Sequence, residues 1–200
     1  DQFVHFGDKA DKPADYIANK EGWDGVLANS DPQYAMSAQA VDGAIKLTSA
    51  NANLNTRKED NGIILYKELE GDFLVQTKVV ALDGQAEHRT PAYNEGGLIV
   101  LDDSGNRGQE IIHIGVFPNY NCGNMLTHVR GYSRPQYPRG NGWNYDPYLQ
   151  IERTGDIFTI RTSQDGKSWT DMPGSPIHAP QLNGKKLKVG LYQTTYTDNK

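Results

Sequence analysis

The segment from Gly131 to Pro147, GYSRPQYPRGNGWNYDP, sets Tyr132, Tyr137, Trp143 and Tyr145 among Arg134, Arg139, Asn141, Asn144 and Asp146. Carbohydrate recognition calls for this mixture. Flat aromatic rings take the C–H faces of sugars, and planar amide, guanidinium and carboxylate groups exchange hydrogen bonds with hydroxyls. Connections longer than ~12 residues in compact domains commonly carry function. A second reading stays open, because Gly, Pro and aromatic residues also build self-packed Ω-loops that cover a sheet face.

Further polar residues sit on alternating segments nearby. If Ile112, Ile114 and Val116 face inward, His113 faces the other way; if Val129 faces inward, so do His128 and Arg130 face away. Neighbouring strands would then place His113, His128 and Arg130 on one surface, rimmed by Tyr93 and Glu95. A concave sheet face bearing these groups is a candidate polar pocket. The alternative is an ordinary solvated face, in which a histidine needs no ligand.

Other chemistries find little support. Five His and a single Cys, Cys122, show no zinc spacing such as H-E-x-x-H. There is no G-x-S-x-G elbow, and the glycines from Gly105 to Gly108 join no strand to a helix that would cradle phosphate. Glu95, Asp102, Asp103 and Glu110 form an acidic group around a turn, Asp102-Asp103-Ser104-Gly105-Asn106. It could hold a structural calcium loosely, without the spaced ligands of a dedicated loop. No other cofactor is expected.

These side chains must be positioned by strands. RTGDIFTIRTSQDGKSWT, Arg153 to Thr170, reads as a meander: Gly155-Asp156 reverses the chain, Ile157 to Ser163 alternates faces, and Asp165-Gly166 reverses it again as a two-residue turn. Turns and a solvated strand face account for its polar residues. Tyr34–Val41 and Ala44–Thr48 flank Asp42-Gly43 as a second hairpin. Further strands are expected at 62–66, 71–82, 96–101, 110–117, 125–130, 148–153 and 187–194. Only residues 10–19 have room for helix, and Pro13 interrupts them. The expected core comprises Phe73, Val75, Val79, Ile99, Ile112, Ile114, Val116, Val129, Phe158, Ile160, Val189 and Leu191, with Trp23 and Trp169 packed at sheet edges. About ten strands, several apolar on both faces, imply an all-β antiparallel two-sheet β-sandwich, with the jelly roll as its natural topology.

With 200 residues, 36% of them hydrophobic, the chain can bury one sizeable core, and residues 1–200 are read as one domain. The net charge of -5 disfavours nucleic acid and anionic membranes as partners, and no run reaches the ~18 apolar residues of a membrane span. The chain opens at DQFVHFGD without Met. The expectation is a mature chain whose targeting segment has been removed, placed outside the cell, in a periplasm or at the cell surface.

Gly71-Asp72-Phe73, then Asn94-Glu95-Gly96-Gly97-Leu98-Ile99-Val100, then Gly155-Asp156-x-Phe158 with Ser163-x-Asp165-Gly166-Lys167-x-Trp169-Thr170, occur in an order that resembles the concanavalin A-like lectin/glucanase superfamily. The resemblance is to the non-catalytic C-terminal modules of bacterial β-xylosidases and arabinosidases, and to a related uncharacterised family of secreted bacterial domains. It covers roughly residues 60–195. It implies a concanavalin A-like jelly roll with a concave face of the kind that often meets carbohydrate, here expected to be a poly- or oligosaccharide, and it does not imply catalysis. Ligand contacts are then expected from Tyr93, Glu95, His113, His128, Arg130, Tyr132, Tyr137, Arg139, Trp143, Asn144 and Tyr145. Catalytic members carry paired carboxylates ~5 Å apart on one strand face. The nearest match here, Glu68-Leu69-Glu70-Gly71-Asp72, lacks the third carboxylate and reads as a charged strand end. A sugar-cleaving enzyme with Glu95 and His113 as acid and base remains an alternative, as does a structural or protein-interaction domain whose aromatic loop packs inward.

Overall fold

Side chains that alternate with a period of two must sit on strands, and strands are what this sequence forms. The computed structural model describes residues 2–4, 23–27, 36–41, 44–49, 63–79, 95–102, 110–116, 123–130, 133, 135–140 and 145–194. In chain order the strands are β1 (Gln2–Val4), β2 (Gly25–Leu27), β3 (Met36–Val41), β4 (Ala44–Ser49), β5 (Ile63–Leu69), β6 (Phe73–Lys78), β7 (Glu95–Asp102), β8 (Glu110–Val116), β9 (Asn124–Arg130), β10 (Gln136–Arg139), β11 (Tyr148–Thr154), β12 (Ile157–Ser163), β13 (Thr170–Asp171), β14 (Ile177–His178) and β15 (Leu187–Thr194). Apart from a 3₁₀ turn at Pro180–Leu182, the described residues contain no helix. The expected helical turn at residues 10–19, the Asp42-Gly43 turn, the turn through Asp103 and Cys122 lie outside them.

The chain divides into two compact units, one of residues 1–67, 89–95 and 190–200, the other of residues 68–88 and 96–189. In the first, β1 pairs with β2 in parallel, β2 with β5 antiparallel, and β3 with β4 as the expected hairpin, Val41 opposite Ala44. The apolar run of β5 is buried from Ile63 to Tyr66. The second unit contains two antiparallel sheets, the arrangement of a β-sandwich. One runs β7-β8-β9-β10. The other runs β6-β11-β12-β13, with β14 also on β12.

Burial follows the alternation only in part. Ile99, Ile112, Ile114, Val116, Phe158, Ile160 and Val189 are buried as expected. Phe73, Val75, Val79, Val129 and Leu191 are half-buried, as are Trp23 and Trp169. All of β7 and β8 is buried on both faces, so burial of these strands does not follow a period of two.

Two local expectations are corrected. The segment 131–147 is not loop throughout, because Gln136–Arg139 forms β10 against Thr127–Asn124 of β9. Pro138 conceals it in the sequence, yet β10 is an edge strand, where a missing N–H costs nothing. Nor do Asp165 and Gly166 make a two-residue hairpin. β12 ends at Ser163, and pairing with β13 resumes only at Thr162↔Thr170. Asp165 instead organises the connection: its Oδ1 accepts from the backbone N–H groups of Lys167 (2.8 Å) and Ser168 (2.7 Å) and from the Ser163 hydroxyl (2.9 Å). The other turn is as expected. Thr154 pairs with Ile157 across Gly155-Asp156, and Gly155 takes a φ of 62°, the left-handed region a two-residue hairpin requires. Asp72 Oδ1 accepts the Gly155 N–H at 2.7 Å and pins this turn to the start of β6.

Arg153 lies in the core, 2% exposed. Its Nε donates to the Gly155 carbonyl (2.9 Å), Nη1 to that of Lys185 (3.0 Å) and Nη2 to that of Leu182 (2.7 Å). The guanidinium lies 5.8 Å from the centre of the Phe158 ring. One side chain thereby ties the β11–β12 turn to the 3₁₀ turn and to the approach to β15.

We predict that Arg153→Met destabilises the fold by roughly 3 kcal/mol, because three carbonyls, the Leu182 one buried, lose a charged donor. Arg153→Lys should recover less than half of this, since an ammonium lacks the planar fork. Urea unfolding midpoints at unchanged slope measure both, and equal stability of the three proteins would refute the role. A second prediction concerns acid. Hydrogen bonds from the Ser168 and Lys167 N–H groups, then from Ser163, lower the Asp165 pKa from 3.8 to about 2. A carboxylate lowered on folding stabilises above its unfolded pKa, and that contribution disappears as pH falls through its folded one. Asp165→Asn should therefore be less stable than the parent at neutral pH, and the gap should close between about pH 4 and 2. A gap that does not vary with pH would contradict this.

Candidate functional site

The residues expected to form one pocket are separated by the strands that carry them. Glu95 is fully buried, and its Oε1 accepts the hydroxyl of Tyr192. Burial first, and the Glu95 charge second, push the Tyr192 phenol well above its ordinary range. His113 is buried, 1% exposed. The register Ile112↔His128, Ile111↔Val129 and His113↔Thr127 places His113 on one face of the sheet and His128 on the other. The surface shared by His113, His128 and Arg130 is thus corrected. Taking Val129 as inward reversed the facing of β9, whose buried Leu126 stands opposite Ile114. Arg130, opposite Glu110, is exposed and shares the His128 face. Tyr93, Tyr132, Trp143 and Asn144 lie outside the described residues.

Arg139, Tyr137 and Tyr145 are each engaged by other parts of the chain. Arg139 Nη2 donates to Asp146 Oδ2 and to the Thr162 hydroxyl, and Nη1 donates to the Asp171 carbonyl at 3.3 Å. Thr162 donates to Asp146 Oδ2 (2.6 Å) and Gln164 Nε2 to Asp146 Oδ1 (2.7 Å). Asn124 closes the set from β9: its amide donates to the Asp146 carbonyl (2.9 Å), and its oxygen accepts the Asp146 N–H (2.8 Å). The Tyr145 carbonyl accepts from Gln164 Nε2 at 3.0 Å. Tyr137 covers Gly174 so closely that a Cβ there would lie 2.5 Å from its ring. These bonds join β9 and β10 to the opposing sheet and hold the end of the aromatic segment in place.

The outward face of the second sheet is of a different kind. On β11, Leu149, Ile151 and Arg153 share one face and are buried; on the other face Tyr148 and Glu152 are half-buried and Gln150 between them is buried. The registers Gln76↔Gln150, Gln150↔Arg161 and Arg161↔Asp171 align four planar polar side chains in one row across β6, β11, β12 and β13. Neighbouring strands lie ~4.8 Å apart, so the row is a ladder of hydrogen-bonding groups at that spacing. Lys78, Tyr148 and Ser163 form the next row on one side; Leu74, Glu152 and Thr159 form it on the other. The Lys78 ammonium stands 5.2 Å from the centre of the Tyr148 ring.

Electrostatically the face is balanced. Arg161 Nη1 donates to Glu152 Oε2 (2.6 Å) and Gln150 Oε1 (3.0 Å), and its Nε donates to Asp171 Oδ1 (3.1 Å). The Glu152 hydrogen bond is the main cause that raises the Arg161 pKa further, with burial opposing it. Such a surface can exchange many hydrogen bonds with a neutral polar ligand. Sequence reading treats its members as separate solvated positions, and only the cross-strand registers reveal the row. Among the described residues, no group of three or more His, Cys, Asp or Glu side chains converges to hold a metal ion.

No protein-family model and no curated protein matches this sequence. Among solved structures it is similar to a functionally unknown protein from Saccharomyces cerevisiae, with a TM-score of 0.56 and 18% identity over 84% of this chain and 89% of that one. That likeness concerns the fold.

The bonds around Asp146 predict strong coupling. Asp146→Ala should cost about 2 kcal/mol, and a double-mutant cycle with Arg139→Met should return a coupling energy of about 1–3 kcal/mol. Additive single effects in denaturant unfolding would show that the pair carries no shared energy.

Proposed function

We propose that this chain is a secreted carbohydrate-binding or accessory module of bacterial polysaccharide utilisation, with a concanavalin A-like jelly-roll topology. The observation that carries the reading is the outward row Gln76–Gln150–Arg161–Asp171, exposed at Gln76 and Asp171, half-buried at Arg161 and buried at Gln150, and flanked by the half-buried Tyr148 and Glu152. Sugars present adjacent hydroxyls that both donate and accept, and this row supplies amide, guanidinium and carboxylate groups at strand spacing. The pairing of Arg161 with Glu152 and Asp171 leaves no excess cation on the guanidinium, which suits a neutral glycan. A shallow sheet face of this type gives modest affinity, since each contact remains partly solvated. The binding surface in this reading is the outer sheet face, in place of the buried Glu95 and His113.

A structural or protein-interaction domain is the second reading, favoured by the inward engagement of Arg139 with Asp146 and Thr162. Glycan arrays followed by calorimetry decide between the two. Under the first reading a neutral oligosaccharide binds, and Arg161→Ala or Tyr148→Ala weakens it at least about tenfold while the circular dichroism stays the same. Binding to no glycan, or binding that both substitutions leave untouched, would sink the carbohydrate reading for this face.

A further inference from the structure

A second charged cluster lies on the other sheet of the same unit. The β7–β8–β9 register aligns Asp102, Glu110 and Arg130 in one row, with His128 two residues before Arg130 on the same face. Glu110 is 1% exposed; its Oε1 meets His128 Nε2 at 2.6 Å, and its Oε2 is buried with no hydrogen-bond partner among the described residues. Asp102 is neutralised by Lys185 Nζ at 2.5 Å. The His128 side chain is 14% exposed, and Nε2 is its hydrogen-bonding atom among the described residues. Arg130 bonds through its backbone to Ser133, and no described residue engages its guanidinium.

We propose that His128 and Arg130 form a binding site for an oxyanion, a phosphate or carboxylate group, with Glu110 as the buried positioning residue. The Glu110–His128 distance is that of a charge-assisted hydrogen bond. A carboxylate whose second oxygen has no donor directs its remaining demand to the imidazole. This fixes the ring with Nε2–H toward Glu110 and leaves Nδ1–H, in the protonated form, as a donor for a ligand. With an imidazolium at His128 its pair with Glu110 is neutral, Asp102 is paired with Lys185, and Arg130 supplies a positive charge that no described residue compensates. Residues i and i+2 on a strand are roughly 6.6 Å apart. An Arg fork and an imidazole at that separation can close on one tetrahedral or planar oxyanion. The site shares no residue with the proposed glycan face.

The test is a titration of the folded chain with inorganic phosphate and, separately, with acetate, read on the NMR resonances of the His128 imidazole. Saturable shifts are expected for at least one probe. Saturation by phosphate alone identifies phosphorylated ligands as the source, and saturation by acetate alone identifies carboxylates. Arg130→Ala, a substitution at an exposed position, should weaken the effective probe about tenfold. Glu110→Gln should weaken it too and move the His128 resonances before any probe is added, whereas Tyr148→Ala should change neither. If neither probe shifts His128, or if the shifts persist at unchanged affinity in Arg130→Ala, the proposal is overturned.

Discussion

A guanidinium keeps its proton inside a protein, so the buried Arg153 sets a constraint that its surroundings must meet. Three carbonyls answer it, from Gly155, Leu182 and Lys185, and each belongs to a point where the chain changes direction. The charge is expensive to desolvate without partners, and here each of its three nitrogens has one, which makes the arrangement cooperative. The β11–β12 turn, the 3₁₀ turn and the run into β15 must be in place together for the side chain to be tolerated. Lys185, whose carbonyl serves Arg153, also sends its ammonium to Asp102 on β7. A positional demand in one sheet is thus passed to the other.

The strand positions of this fold are largely readable from the sequence, through a period of two in β6 and β12 and through short apolar runs such as that of β5. Ile157–Ser163 and Gly155-Asp156 were visible for that reason. Facing was less readable. In β9, Met125, Leu126 and Val129 put apolar groups on both sides, so alternation cannot say which side meets the opposing sheet; the register against β8 decides it through Leu126. β10 was hidden by Pro138, whose cost vanishes only at an edge, and edge position is a property of the assembled sheet. Asp165-Gly166 carried the signature of a tight hairpin, but a carboxylate that can collect several N–H groups favours a wider turn.

The same limit applies to function. Aromatic and cationic residues between Gly131 and Pro147 suggested a ligand-binding loop, yet composition does not record what a side chain already holds. Arg139 spends its donors on Asp146, Thr162 and the Asp171 carbonyl, so it reads as an anchor between sheets. Conversely, Gln76, Gln150, Arg161 and Asp171 come from four segments with no sequence pattern in common. Their alignment follows from pairing alone.

The two arginine environments explain why surface chemistry collects where it does. Arg153 and Arg161 lie on adjacent strands, β11 and β12, and face opposite sides of one sheet. On the inner side the charge is met by backbone carbonyls, which are dipoles, so the positive charge remains and can only be accommodated, not cancelled. On the outer side it is met by Glu152 and Asp171, which cancel it and leave their remaining lone pairs toward solvent. A sheet that fixes one arginine by geometry and neutralises the other by charge presents outward a flat polar face without excess charge, which a neutral ligand can meet only by many weak bonds.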